Sequence, residues 1–478
     1  MKLFICAIII SSSMAKFAEA KDLSETALFL RCYSQLTQTF PNKDLPLMQE
    51  VRAGTKTALT ACLSVLNSVS FNANGNTTLS DPNDQTALNV VKVFHGLHYS
   101  WFSTKFFPEI GDLYVSSAGN IYDRSTPALY ITRSLFVPGA QFSEIFTGDN
   151  TYRSKRQTDE YQSSRVWGIH APADDTLQGV KFAGLGSLIG VEPMQKNLIH
   201  DTLFWNKPSS DTSLPLPQRI PGPPIAINTH WGGGVLGSQI YMLQNIQGTD
   251  FGDKTDGGIK SNRKWSRSVF KDFLCRDLPA IRELDAASYV QTGSSLSYRT
   301  SKGCVKCHAS IDTMAGLVRD THYDTRAYSF ELNGMYAFLV KRAKTKNFAS
   351  YFPTEPDSDF YQRPTTGSFY FRTYDGQLVF KEVSSLDDLT TEILKLDDLY
   401  VCAAKRYFEY FTGINVDISD IKDPAHPSFP ALSTQQHEYR DLVVSLGKSL
   451  KQDQSIKKLI ENIMKTSVYK SEDFSLSK

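Results

Sequence analysis

Apolar residues recur at helical spacing along most of the chain. The clearest stretch is the last one, where five apolar residues at i, i+3, i+4, i+7 and i+8 share one helix face: Ile456, Leu459, Ile460, Ile463 and Met464. Similar patterns predict helices at 27–39, 55–68, 87–107, 126–137 and 265–277, and one long helix or a helix pair at 386–411. The fold is therefore expected to be mainly α.

Alternation with a period of two residues is clear in one place. Residues 366–384 alternate on both sides of an Asp-Gly turn, which predicts a small β-hairpin. Residues 174–224 are rich in turn signals and predict irregular surface connections with a few short strands. The run 232–237 (GGGVLG) matches G-x-G-x-x-G but lacks the parallel βαβ context of a nucleotide site. We expect instead a glycine-rich approach to a helix that begins near Ser238.

The first twenty residues predict export. Lys2 precedes an apolar run at 3–10, and an Ala-Glu-Ala sequence ends the segment, as in a cleaved secretory signal. The mature chain is expected to begin at about Lys21 and to work in the periplasm or outside the cell. No later segment approaches twenty uninterrupted apolar residues, so no transmembrane segment is expected.

Length and charge narrow the function classes. The chain has 478 residues, with 51 Lys and Arg against 50 Asp and Glu. This balance gives no general attraction to phosphate backbones, so nucleic acid is not an expected partner. The length exceeds that of one compact core and indicates roughly two to four domains.

Two of the seven cysteines belong to one chemically specific motif. Cys304, Cys307 and His308 stand in the order C-x-x-C-H, the spacing of covalent c-type haem attachment. Two thiols three positions apart can reach the two vinyl groups of one porphyrin, and the next residue offers an imidazole to the iron. The sequence therefore predicts haem c, with Cys304 and Cys307 as its covalent attachment and His308 as the proximal iron ligand.

The same motif has other interpretations: a C-x-x-C disulfide, a redox dithiol or half of a zinc site. A zinc site would need a second pair of ligands, and His95 with His98 is the only candidate pair, about 200 residues away. Both histidines lie in a helical stripe and are expected to be satisfied core residues, with a metal or second redox site as the alternative.

Four further cysteines remain after Cys6 leaves with the signal. Cys32 and Cys62 fall in two neighbouring helical patterns, where a disulfide would join a helical hairpin and restrict the unfolded chain by about 3–4 kcal/mol. Cys275 and Cys402 would then pair across the haem region. Other pairings stay open on the sequence alone.

Several segments of the chain resemble segments of a known group of proteins and follow one another in the same order as in that group. They are ITRSLFVPGAQFSEIFTGDNTYRS (131–154), GGVLGSQIYML (233–243), KWSRSVFKDFLCRDLP (264–279), GCVKCHASID (303–312), DGQLVFKEVSSLDDLTTEIL (375–394), CAAKRYFEYFTGI (402–414) and SIKKLIENIMKTSVYK (455–470). They are similar to segments of the large exported cytochrome-like proteins of planctomycetes and myxobacteria, which are built from domains of unknown function and carry C-x-x-C-H-x-x-x-D-P. Thr313 stands where that motif has proline, and the family's SP-x-x-RG element is degraded at 261–265.

The resemblance implies a haem-c domain within a mostly helical scaffold and brings no settled substrate. The combined expectation is a cytochrome-c-like haem module embedded between helical domains, with a small β-hairpin. The predicted segments are a signal peptide at 1–20, an N-terminal helical domain at 21–125, a mixed helical and loop-rich domain at 126–264, the haem module with its hairpin at 265–415, and a C-terminal linker with helices at 416–478.

The second axial ligand of the iron would decide what such a haem does. A strong Met or His ligand favours electron transfer, whereas an open position favours chemistry at the iron. Met335, in a loop-like Asn-Gly-Met setting, and Met242 are the candidate distal ligands, and His322 is a further one. Met314 is only six residues from His308 and is a poor candidate.

The leading prediction is an exported monohaem c-type cytochrome that exchanges electrons with a redox partner protein or a small-molecule donor or acceptor. The first alternative is a haem peroxidase or oxidase with an open distal site, for which His230 is the candidate acid–base group. The second alternative is a non-catalytic surface or binding protein with a structural haem.

Overall fold

The structure is a computed structural model that describes residues 21–72, 77–79, 81, 83–102, 125–156, 225–245, 260–294, 297–329, 334–341, 364–424 and 432–476, together with short strands between 163 and 221. The signal peptide predicted at 1–20 lies outside these residues. Of the loop-rich stretch predicted at 174–224, only short strands are described.

Helices make up most of the regular structure, which confirms the predicted mainly α fold. They are α1 (Glu25–Thr37), α2 (Pro46–Arg52), α3 (Ala58–Asn67), α4 (Gln85–Ser100), α5 (Thr126–Phe136), α6 (Gln239–Asn245), α7 (Lys260–Leu274), α8 (Glu283–Ala286), α9 (Ser297–Thr300), α10 (Lys302–Ala315), α11 (Leu386–Lys395), α12 (Asp397–Thr412), α13 (Thr434–Asp453), α14 (Ile456–Lys465) and α15 (Ser467–Lys470).

The strands are short and pair antiparallel. They are β1 (Thr77–Thr78), β2 (Tyr152–Arg156), β3 (Ser163–Ser164), β4 (Ile169–His170), β5 (Gly179–Val180), β6 (Leu188–Pro193), β7 (Asn197–His200), β8 (Leu203–Trp205), β9 (Arg219–Pro221), β10 (Ile225–Asn228), β11 (Thr321–Ser329), β12 (Gly334–Lys341), β13 (Gly367–Arg372) and β14 (Leu378–Val383). The sheets have the orders β1-β6-β2, β10-β7-β4, β11-β12, β13-β14, β3-β5 and β8-β9.

Hydroxyl and carboxyl side chains begin several helices by accepting a hydrogen bond from a backbone N–H that has no partner within the helix. Ser24 caps α1, Asp84 caps α4 and Ser455 caps α14 in this way. At α5, Pro127 occupies the first turn, where its missing N–H costs nothing. The sequence therefore sets these helix starts locally.

Most buried apolar side chains of the described residues belong to one cluster that extends from Leu28 in α1 to Tyr469 in α15. Helix α12 runs through it and packs against α7, α13 and α14. The cluster includes side chains from all four mature segments predicted from the sequence, and the proposed division between them stays a prediction.

The hairpin predicted at 366–384 is formed by β13 and β14. Phe371 lies opposite Val379, and the turn between the strands contains Asp375 and Gly376. Gly376 has a φ of 84°, in the left-handed region that suits glycine. The alternation of the sequence and the Asp-Gly turn thus located this hairpin within a residue or two.

The loop-like setting expected for Met335 is a strand instead. Met335 is the second residue of β12 and lies opposite Ala327 of β11. Residues 335–340 are continuously apolar or aromatic, and such a run does not show the period-two pattern that reveals a half-buried strand. The sequence reading therefore missed this second hairpin.

Two disulfides connect distant parts of the chain, and they are the two pairings predicted from the cysteine count. Cys32 in α1 pairs with Cys62 in α3, with their Cα atoms 6.1 Å apart. Cys275, just after α7, pairs with Cys402 in α12 across 127 residues of sequence, with their Cα atoms 5.3 Å apart. The second bond ties the end of α7 to α12 in the main core.

Candidate functional site

Helix α10 carries the whole C-x-x-C-H motif in its first two turns. It packs against α7, α8, α9 and β13. Val305 and Ala309 fix one side of the helix in a small apolar cluster with Ile281 and Tyr370. These contacts hold the helix that carries the motif against its neighbours.

Cys304 and Cys307 are the only unpaired cysteines among the described residues. Cys304 is exposed and Cys307 is partly buried. Burial raises the pKa of the Cys307 thiol above its ordinary value, and the opposing effect of Lys306 is smaller. The two sulfurs lie one helical turn apart, and both are left available for covalent bonds.

His308 lies one turn after Cys304, at the i+4 position that shares its face of the helix. Its Nδ1 lies 3.0 and 3.2 Å from the two carboxylate oxygens of Asp312, one further turn along. A carboxylate only accepts hydrogen bonds, so Nδ1 carries the proton and donates it. Within the described residues no hydrogen bond involves Nε2, which leaves its lone pair available for a metal.

Asp312 is itself held by an arginine from the neighbouring helix. Arg263 of α7 donates from Nε to Oδ1 at 2.7 Å and from Nη2 to Oδ2 at 3.0 Å. Burial alone would lower the pKa of Arg263, but Asp312 and Tyr298 together outweigh burial and raise it. The result is a bidentate, charge-assisted ion pair that fixes Asp312 beside the imidazole.

Tyr298 of α9 covers one face of the imidazole. The rings of Tyr298 and His308 lie 4.3 Å apart between centroids, with an angle of 31° between their planes. The Tyr298 hydroxyl accepts a hydrogen bond from Arg263 Nη2 at 2.8 Å. Tyr298 and Asp312 therefore contact the His308 ring directly, and Arg263 holds both of them in place.

A cavity of about 1010 Å³ opens beside His308. Its walls include His308 and Asp312 on α10, the cationic side chains Arg299 and Arg319, and Phe380 and Glu382 on β14. Cofactor sites commonly measure about 300–1,000 Å³. Neither cysteine of the motif lines the cavity, so the space adjoins the imidazole rather than the sulfurs.

These residues fit the haem that the motif implies. Two unpaired thiols at the required spacing and an imidazole with a free Nε2 stand on one helix, and the hydrogen bond at Nδ1 selects the tautomer that binds iron. Cys304 and Cys307 would hold the porphyrin, and His308 would bind the iron.

The structure describes the side chains of two methionines considered as distal ligands, Met242 and Met314. Met242 of α6 is fully buried in the main core, and Met314 is fully buried on another side of α10. Neither residue lines the cavity. Met335 and His322 lie in the β11–β12 hairpin, with side chains outside the described part of the structure, so both stay predictions as ligands.

His230, the acid–base group of the enzyme alternative, is buried beside the glycine run. Its Nε2 donates to the carbonyl of Gly234 at 2.7 Å, and its Nδ1 accepts from the N–H of Gly232 at 2.9 Å. Both ring nitrogens are thus occupied by the backbone, and His230 does not line the cavity. In this structure it shapes the glycine segment that leads to α6.

His95 and His98 are both buried in the core, as predicted. His98 bonds Thr132 through Nδ1 and Tyr407 through Nε2. Across the described residues, no group of three or more His, Cys, Asp or Glu side chains is arranged to hold a bare metal ion. The zinc interpretation therefore finds no additional ligands there.

The sequence reading missed Arg263 and Tyr298, and it gave Asp312 no role. The i+4 spacing of His308 and Asp312 is a signal that could have revealed their contact. Arg263 and Tyr298 come from other helices, and no spacing in the sequence indicates that they meet the motif.

The chain matches no protein-family model, no curated protein and no solved structure. The resemblance to exported cytochrome-like proteins therefore stays a prediction. In the described part of the chain, no helix combines the length and the apolar character needed to cross a membrane.

Proposed function

We propose that this chain is an exported protein with one covalently attached c-type haem, and that it transfers electrons. The observation that carries the proposal is the arrangement on α10, where two unpaired thiols and an imidazole with a free Nε2 stand at C-x-x-C-H spacing. The two disulfides support an exported location, because such bonds persist in oxidising compartments.

Each residue of the site has a separate task in this proposal. Cys304 and Cys307 form thioether bonds that prevent loss of the cofactor, and His308 binds the iron through Nε2. Tyr298 and Arg263 keep the imidazole and its carboxylate partner in place. When bound, the haem supplies a one-electron couple, which a partner protein or a small molecule would use.

Replacement of both cysteines tests the attachment. The Cys304→Ala/Cys307→Ala variant, expressed in a host that matures c-type cytochromes, should lose haem staining on a denaturing gel and the haem mass in intact-protein mass spectrometry. Lys306→Gln, between the two cysteines, is the matched control and should keep both signals. Covalent haem in the double variant would refute the attachment site.

A haem peroxidase or oxidase is the second candidate, because one observation favours it. The proximal imidazole donates to a carboxylate, and such a partner raises the basicity of a metal-bound histidine. In addition, His308 is the only His or Met among the cavity-lining residues that the structure describes.

The absorption spectrum separates the two candidates. A six-coordinate low-spin spectrum that does not change with cyanide or peroxide supports an electron carrier. A high-spin spectrum that shifts with either reagent supports the enzyme and argues against the carrier.

A further inference from the structure

Asp312 makes two kinds of contact at once. One is the hydrogen bond that it accepts from His308 Nδ1, at 3.0 Å to the nearer oxygen. The other is the bidentate ion pair with Arg263, whose Nε and Nη2 donate to the two carboxylate oxygens at 2.7 and 3.0 Å. The side chains of Arg263 and Asp312 are 12% and 24% exposed, so the pair is partly shielded from water. A carboxylate in this position is shared between an imidazole and a guanidinium.

We infer that Asp312 sets the reduction potential of a haem bound by His308, and that Arg263 limits how strongly it does so. Asp312 is a positioning residue in this inference, because it acts through the imidazole and not on the iron. The inference rests on the proposed haem attachment and adds the control of its potential.

The physical reason lies in the charge of the hydrogen-bond acceptor. A carboxylate at Nδ1–H draws the proton toward itself and increases the electron density that Nε2 offers to a metal. A more basic ligand stabilises the ferric state, which carries the higher charge, and so lowers the potential. Arg263 withdraws part of the carboxylate's charge through its two hydrogen bonds, and so weakens the effect.

The first experiment measures the potential of the haem-loaded chain by redox titration. Asp312→Asn keeps the shape of the side chain but removes its charge. At the wild-type midpoint potential, this variant should raise the ratio of reduced to oxidised haem about tenfold. For a one-electron couple, that change corresponds to a rise of ~59 mV in the midpoint potential. Glu382→Gln removes one negative charge from a wall of the same cavity. This control should change the ratio by less than about twofold, because no hydrogen bond joins Glu382 to the imidazole in the described structure.

A second variant separates an electronic role from a structural one. Arg263→Gln releases Asp312 to interact fully with the imidazole and should lower the ratio of reduced to oxidised haem several-fold. Arg267→Gln, one turn further along α7, removes an exposed positive charge near Cys307 and should have a smaller effect. If the ion pair only ties α7 to α10, both Asp312→Asn and Arg263→Gln should shift the potential in the same direction, and the inference fails.

The chain without haem provides an independent readout. At pH 8.5, the ¹⁵N chemical shifts of His308 should show the proton on Nδ1 in the wild type and a shift toward the Nε2–H tautomer in Asp312→Asn. An Nε2–H tautomer in the wild type would overturn the inference.

The possible failures can be told apart. A wild-type chain that never acquires covalent haem refutes the attachment proposal, and the inference falls with it. A haem-loaded Asp312→Asn variant with an unchanged potential refutes the inference alone. Far-UV circular dichroism of each variant verifies that the overall helix content is unchanged.

Discussion

His98 shows how the core accommodates a polar residue. The side chain is fully buried, and its ring nitrogens lie 2.9 Å from the Thr132 hydroxyl and 2.6 Å from the Tyr407 hydroxyl. Burial lowers the pKa of His98 well below its ordinary value, and the nearby His95 lowers it further. The imidazole is therefore neutral in the folded protein at neutral pH.

This burial predicts a loss of stability in mild acid. The unfolded chain binds a proton at His98 below about pH 6.5, whereas the folded chain does not until a lower pH, so the free energy of unfolding should fall as pH drops from 7 to 5. The contribution of His98 approaches ~1.4 kcal/mol per pH unit. Urea denaturation at a series of pH values measures it.

His98→Gln is the variant that isolates this effect. It should cost about 1–3 kcal/mol at pH 8, because hydrogen bonds to Thr132 and Tyr407 are lost, but it should flatten the pH dependence. Equal slopes for the wild type and the variant would show that His98 does not titrate on unfolding.

At the scale of elements, the approach of α12 to α13 depends on one glycine. A Cβ atom on Gly447 of α13 would lie 2.6 Å from the Cα of Val401 in α12 and 2.7 Å from its backbone nitrogen. Such contacts are shorter than any ordinary van der Waals distance, and they involve backbone that cannot rotate away. Gly447 thus lets two helices of the main core pack at close range.

Two glycine-to-alanine variants test this packing. Gly447→Ala should destabilise the protein by about 1–3 kcal/mol, since the helices must separate to fit the methyl group. Gly96→Ala is the matched control, because Gly96 lies inside α4 with nothing within 4 Å of its added Cβ. It should stabilise the protein by about 0.5–1 kcal/mol through helix propensity. Urea denaturation compares them, and a neutral or stabilising Gly447→Ala would contradict the helix-approach argument.

Over the whole molecule, the first and last described segments are joined. Arg31 of α1 donates to the carbonyl oxygens of Tyr469, Ser471 and Glu472 at 2.7, 2.7 and 2.9 Å. The guanidinium also lies 4.0 Å from the centroid of the Phe474 ring. One cation therefore holds the C-terminal segment against the N-terminal helix.

Replacement of Arg31 should destabilise the N-terminal helix and the C-terminal segment together. Arg31→Ala should lower the free energy of unfolding by about 1–2 kcal/mol and reduce the hydrogen-exchange protection of both 25–37 and 467–476, while α10 keeps its protection. Arg52→Ala, an exposed arginine at the end of α2, is the control. Deprotection of only one of the two segments would show that Arg31 does not couple them.

The amino-acid sequence alone predicts the features that arise from contacts between neighbours within one element. The spacing of 3.6 residues per turn placed the apolar stripe of α14, and the alternation of 366–384 located the β13–β14 hairpin. These patterns succeed because the contacts they imply follow from the regular geometry of a single helix or hairpin.

Which elements contact each other is visible in the folded structure and not in the sequence patterns. The tertiary structure selected the pairing among four cysteines, used both ring nitrogens of His230 for backbone contacts, and placed Arg263 and Tyr298 around His308. It also made a strand of the segment around Met335. Such outcomes depend on how side chains of distant segments fill a shared core, and the periodicity of any one segment carries no information about its partner.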